Sequence, residues 1–200
     1  MTSRHAGRLS WLVLCLSLGV LAYVAACGRG PSGGASSTDD AGAPVDTVLL
    51  SFLSRAKAAH HQADIFEQDE QIEKAIAPLQ SLVDGPKPGR AGGAPPPEVR
   101  EVLADTLARL ADLKSQLGRF DAAGRDVDRG LELATETTYF RGHLFEVRGL
   151  TEERSSKSSK EKGDAKAAEE AKQRALDAFE KSMSIQAEVI QRATTPEDAR

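Results

Sequence analysis

Aromatic side chains and cysteines are scarce in this chain. Phe, Trp and Tyr together make up 4 % of its 200 residues, and there are only two cysteines, Cys15 and Cys27. Both fall at the amino-terminal end, so the rest of the chain can form neither a disulfide nor a thiolate metal site, and its stability must come from packing alone. Alternating runs of β-branched residues are also missing, which leaves nothing to seed a sheet. No basic face with interleaved aromatics occurs, and the formal net charge is −4; a nucleic-acid partner is therefore not expected.

Motifs of catalysis are lacking as well. From residue 45 onward no G-x-S-x-G elbow, H-E-x-x-H pair, P-loop or G-x-G-x-x-G is present; the strings G-x-G-x-x-G at 28–33 and G-x-S-x-G at 30–34 fall in a Gly- and Ser-rich stretch with no strand or helix pattern beside them, and the carboxylates are spread along helix faces among lysines and arginines. A non-enzyme without a cofactor is the expectation. Of the four histidines, His5 lies in the leader and His60 and His61 are adjacent, so on a helix they point about 100° apart. His60 and Asp64 are one turn apart, as are His143 and Glu146, but two ligands make a thin metal site and no metal is expected.

The one long apolar run stands at the start. Arg4 and Arg8 precede the apolar stretch 9–22, which is too short to span a bilayer comfortably, and Val24-Ala25-Ala26-Cys27 follows. An aliphatic residue, two small residues and a cysteine resemble a bacterial lipobox. That resemblance implies a signal peptide over 1–26, lipid attachment at Cys27 and a membrane partner through that anchor. At roughly 0.8 kcal/mol per buried CH₂, several acyl chains hold a protein on a bilayer almost permanently. Gly28 rather than Asp after the cysteine implies the outer membrane, facing the periplasm. The Gly-, Ser-, Ala- and Pro-rich stretch up to residue 44 cannot bury a core, so 27–44 reads as a disordered, flexible tether.

From residue 45 to 193 the periodicity is helical. Val99, Leu103, Leu107, Leu110, Leu113 and Leu117 advance in steps of three and four, which is one face of an α-helix. Pro97 suits its first turn and Gly118 its left-handed end. Asp121 can cap a second helix bearing Ala123, Val127, Leu131 and Ala134, and Gly130 there would let another helix come close. Before this pair, Asp46 can cap a helix with Leu49, Phe52 or Leu53, Ala56, Ala59, Ala63 and Phe66. A second follows with Ile72, Ala75 or Ile76, Leu79 and Leu82, and Pro78 should kink it. The Pro/Gly loop 84–96 then reads as extended and solvated, leaving the first pair loosely docked. After the central pair, Phe140, Leu144 and Val147 mark a fifth helix, and Ala175, Phe179, Ser182, Met183 and Ile185 a sixth. The charged insertion 151–170 between them reads either as a solvated helical hairpin or as disorder. A disordered tail is expected over 194–200.

Ala104 to Thr137 resembles a tetratricopeptide repeat. Leu107, Leu110, Ala111 and Lys114, then Ala123 and Val127, stand where the family pattern has W-x2-L-G-x2-Y and A-x3-F. Leu replaces Trp, Lys114 replaces Tyr, Val127 replaces Phe, and Thr135 stands for the closing Pro. Ala63 precedes Ala75 by the same distance that Ala111 precedes Ala123, which makes the first pair a degenerate copy. The expected architecture is therefore an all-α, antiparallel helix-pair array: a right-handed solenoid fragment of about three imperfect repeats, with a non-repeat bundle as the alternative. The resemblance also implies a concave groove lined by the first helices of the pairs. Its candidates are Lys57, His60, Asp64 and Glu67, then Asp105, Ala108, Asp112, Ser115 and Gln116, with His143 and Glu146 weaker. That set is more acidic than basic and would favour a basic or polar segment of a protein or peptide partner. The expected function is a membrane-anchored envelope lipoprotein acting as a non-catalytic interaction module or assembly scaffold. The alternatives are a small-ligand or metal-binding envelope protein using the histidines, and a structural lipoprotein without a specific partner.

Overall fold

The computed structural model describes residues 46–89 and 93–195. The expectations placed on the leader, on Cys27, on the tether and on residues 196–200 lie outside these. The described residues form six α-helices and no strand: α1 (Thr47–Gln68), α2 (Ile72–Asp84), α3 (Pro97–Gln116), α4 (Phe120–Leu133), α5 (Tyr139–Glu161) and α6 (Ala165–Thr194). Asp46 caps α1 as expected, its Oδ1 accepting from the amides of Val48 and Leu49 at 2.9 and 3.1 Å. Asp121 does not cap α4. The helix begins one residue before it, so its carboxylate sits in the first turn, where it suits the positive end of the helix dipole.

The helices join as three hairpins, and all three hairpins turn in the same way. At the end of α3, Gly118 has a φ of +72°. Its amide donates to the Ser115 carbonyl at 3.0 Å and the Arg119 amide donates to the Lys114 carbonyl at 3.0 Å. That pair of bonds is a Schellman motif, which satisfies the last carbonyls of a helix. After α5, Gly163 has a φ of +81° and Asp164 donates back to Ser159. After α1 the left-handed residue is Glu70, at a φ of +59°, and Gln71 donates back to Phe66 at 2.7 Å.

α3 is the centre of the fold, and its two flanks differ in size. Val99, Leu103, Leu107, Leu110 and Leu113 face the first hairpin, joining Phe52, Ala56, Ala63, Leu79 and Leu82 in one buried cluster. Ala104, Ala108 and Ala111 face the other way, against Ala123 and Val127 of α4 and Leu144 and Val147 of α5. Large side chains fill the wide contact with the first hairpin, and alanines let α4 and α5 approach closely. α1 and α2 both pack on α3, and α3 and α4 both pack on α5. The first hairpin is thus docked through a continuous core, and the loop after α2 is pinned where Arg55 Nη2 donates to the Pro86 carbonyl. The expected loose attachment is not found, because the loop does not carry the docking. α2 runs through Pro78 without a break, at the cost of one backbone bond to the Lys74 carbonyl.

Of the two readings of the charged segment 151–170, the helical hairpin that lengthens both helices is the one found, and disorder is not. α5 continues to Glu161 and α6 starts at Ala165, and the buried face of α6 begins at Ala168 and Ala171. The two helices close on glycines: a Cβ on Gly149 would stand 2.6 Å from the Phe179 ring, and one on Gly142 would stand 3.0 Å from Gln186. Met183 is 64 % exposed and Leu117 39 % exposed, so neither belongs to the core face on which the periodicity placed it.

Candidate functional site

The groove candidates lie on α1 and α3, and most of them bond across to the next first-of-pair helix. Asp64 and Glu67 of α1 both accept from Arg109 Nη2 of α3, Asp64 at 2.6 Å. Asp112 of α3 accepts from Arg154 Nη1 of α5 at 2.7 Å. The Glu67–Arg109 and Asp112–Arg154 pairs each span 42 residues. The same device therefore ties α1 to α3 and α3 to α5. Burial works against the charge of Arg109, but the bonds from Glu67 and then Asp64 outweigh it and raise its pKa.

This arrangement changes the electrostatics expected of the face. Among the carboxylates read as an acidic lining, Asp64 and Glu67 share the one guanidinium of Arg109 and Asp112 holds that of Arg154, so the negative field of the face is reduced and not cancelled. Ser115 is not on an open surface at all. It is 2 % exposed, donates to the Asp112 carbonyl at 2.8 Å and accepts from Arg154. Ala108 is fully buried in the contact with α4 and α5. Lys57 and Gln116 are exposed and Asp105 half-exposed, and Gln116 donates to Asp112 Oδ2 at 2.8 Å.

His60 is drawn into the same seam. Thr106 Oγ1 donates to the Val102 carbonyl at 2.7 Å, so it accepts from the His60 Nε2–H, 2.9 Å away. Burial lowers the histidine pKa; Asp105 and Asp64 pull it up and Arg109 pushes it down, leaving it below the ordinary 6.5. With Nε2 committed to Thr106, His60 is a structural bridge between α1 and α3. His143 Nδ1 sits 3.3 Å from Glu146 and its ring stacks on Tyr139 at 5.8 Å. Among the described residues no three His, Cys, Asp or Glu side chains gather in a metal-binding geometry, and no helix is long and apolar enough to cross a membrane.

Sequence reasoning missed the arginines. Arg109 and Arg154 occupy positions that periodicity reads as solvated, and only their spacing of 42 residues from Glu67 and Asp112 could have betrayed them. It also missed Lys114. Noted only as a departure from a family pattern, it reaches Gln80 of α2 at 2.9 Å and the buried Asp126 of α4, and so joins three helices. No protein-family model, no curated protein and no solved structure matches this chain.

Proposed function

We propose that the protein is a lipid-anchored protein of the bacterial envelope whose helical domain is a tetratricopeptide-like array serving as a non-catalytic protein-interaction module. The anchor rests on the sequence Val24-Ala25-Ala26-Cys27 and the tether after it. The observation that carries the module is the stacking of α1, α3 and α5 into one face, held by the Glu67–Arg109 and Asp112–Arg154 pairs. Three hairpins with the same turn, each first helix bonded to the next by the same acid–arginine device, support an array of like units. An array of this kind presents an extended face that no single hairpin could make. With Asp64, Glu67 and Asp112 engaged by Arg109 and Arg154, that face keeps only a weakened preference for a basic segment and would read a partner by shape and polar contact as well.

The test is crosslinking in the native envelope followed by affinity capture. Asp64 and Asp112 are unsuitable for substitution because each also holds two helices together. Lys57→Glu combined with Gln116→Arg alters exposed positions of the face instead. The variant is expected to fold normally and lose specifically crosslinked protein. Equal recovery from the variant and the parent chain would refute the face as the binding surface.

A further inference from the structure

The outer side of α6 carries a row of large apolar residues that no described helix covers. Leu176, Met183 and Ile190 are 53 %, 64 % and 64 % exposed. They follow one another at intervals of seven residues. That spacing drifts by only about 20° per interval on a helix, so the three form one stripe. α6 packs on α5 and on no other described helix, and its buried face, from Ala168 to Ile185, is spent on that contact. Arg174, bonded to Glu152 of α5, lines the cleft beside α4. Leu176, two residues on, points about 200° away from it. The stripe therefore lies on the side of α6 turned away from α4. A contiguous apolar row left exposed in this way marks a contact surface.

We infer that the stripe is a dimer interface and that α6 of a second copy, running antiparallel, covers it. The spacing chooses that occupant. Leu176 and Ile190 stand seven residues to either side of Met183. A two-fold axis at Met183 sets that residue against its own copy and Leu176 against Ile190 of the other chain, two side chains of equal size. An isologous contact needs a self-complementary surface of this kind. Phe179, half-buried beside the stripe, comes level with the exposed Ala187 of the second copy, large beside small.

Charge chooses the direction. Lys172 and Glu180 are exposed flanking positions. A parallel pair would set each of them beside its own copy, and juxtaposed like charges are costly. The antiparallel pair moves the two glutamates about 9 Å apart along the axis and sends the two lysines to opposite ends. The helices overlap over residues 172–194, about 34 Å, so the dimer belongs to the small, reversible class of interfaces. This surface is separate from the α1–α3–α5 face and does not depend on the lipid anchor.

Oxidation of the full chain in detergent, with single cysteines introduced on α6, tests it. The parent chain, with Cys15 and Cys27 in place, sets the background. Met183→Cys should give a disulfide-linked dimer well above that background. Leu176→Cys and Ile190→Cys should each stay monomeric alone. The two copies of either stand about 21 Å apart along the axis, beyond the roughly 7 Å between Cα atoms that a disulfide tolerates. An equimolar mixture of those two variants should crosslink again. Leu176→Glu combined with Ile190→Glu in the Met183→Cys chain alters residues exposed in the monomer, so the fold should persist while the crosslink falls roughly tenfold. No crosslink from Met183→Cys above the parent is the result expected if another protein or another segment of this chain covers the stripe, and it would overturn the proposal. So would equal crosslinking by Leu176→Cys alone, or crosslinking that survives the two glutamates.

Discussion

At the scale of single residues, Glu70 shows how a repeated geometry can be met by an unsuitable side chain. The other two hairpins place glycine at the left-handed turn position, whereas the first places a glutamate there at a φ of +59°. A residue with a Cβ costs roughly 1–2 kcal/mol in that conformation. Glu70→Gly relieves the strain but loosens the unfolded chain, so a net gain of about 1 kcal/mol is expected, read as a rise of about 2–4 °C in the thermal midpoint. His60 supports a prediction of the opposite sign. Its folded pKa lies below its unfolded value because burial disfavours the charge, so the unfolded chain takes up the proton first. Its contribution to stability is complete above pH 6.5, falls as the pH drops below that value, and levels off once the folded protein is protonated too. Urea midpoints measured on either side of pH 6.5 should therefore decline toward acid, and His60→Gln should flatten that decline.

At the scale of elements, contacts between helices are set by what fits between them. Gly149 on α5 and Gly124 on α4 are both glycines inside helices, where alanine is favoured by about 1 kcal/mol. A methyl on Gly149 meets the Phe179 ring at 2.6 Å, while one on Gly124 meets nothing. Gly149→Ala should cost about 1–3 kcal/mol because the ring must move and α6 with it. Gly124→Ala should stabilise by up to about 1 kcal/mol, and denaturant midpoints of the two variants would separate these signs. The Lys114–Asp126 pair joins α3 to α4 with side chains only 13 % and 5 % exposed. Removing one partner strands a buried charge, so Asp126→Ala should cost about 3–5 kcal/mol, whereas Lys114→Met combined with Asp126→Leu should come close to the parent protein. A double-mutant cycle measures the difference.

At the scale of the whole molecule, the described residues form one helical body in which every first-of-pair helix is bonded to the next. The separation of 42 residues between Glu67 and Arg109 recurs between Asp112 and Arg154, so the array is tied by side chains of defined spacing as well as by its apolar core. Each such pair is partly exposed and contributes modestly, about 0–1 kcal/mol; the core does most of the holding, and the pairs choose the alignment. The envelope reading has its own check at this scale. Cys27→Ser should abolish metabolic palmitate labelling and leave the precursor unprocessed, and continued labelling of that variant would show that the anchor lies elsewhere.

Much of the fold was legible in the chain. The steps from Val99 to Leu113, the small residues Ala63, Ala75, Ala111 and Ala123, the cap at Asp46 and the turn at Gly118 are local or periodic signals, and all lie where periodicity and capping chemistry put them. They are legible because helix formation and burial of one face depend on residues within a few positions of each other. The candidate site was legible only as a surface. That Asp64, Glu67 and Asp112 are paired with arginines, that Ser115 is buried, and that His60 bridges to Thr106 depend on partners about 40 residues away, and a helix pattern says nothing about which neighbour a polar side chain will meet. The sequence by itself determined which segments are helical and which faces they bury. Tertiary structure alone decided which charges and polar groups are spent inside the fold, because their partners stand about 40 residues away in the chain.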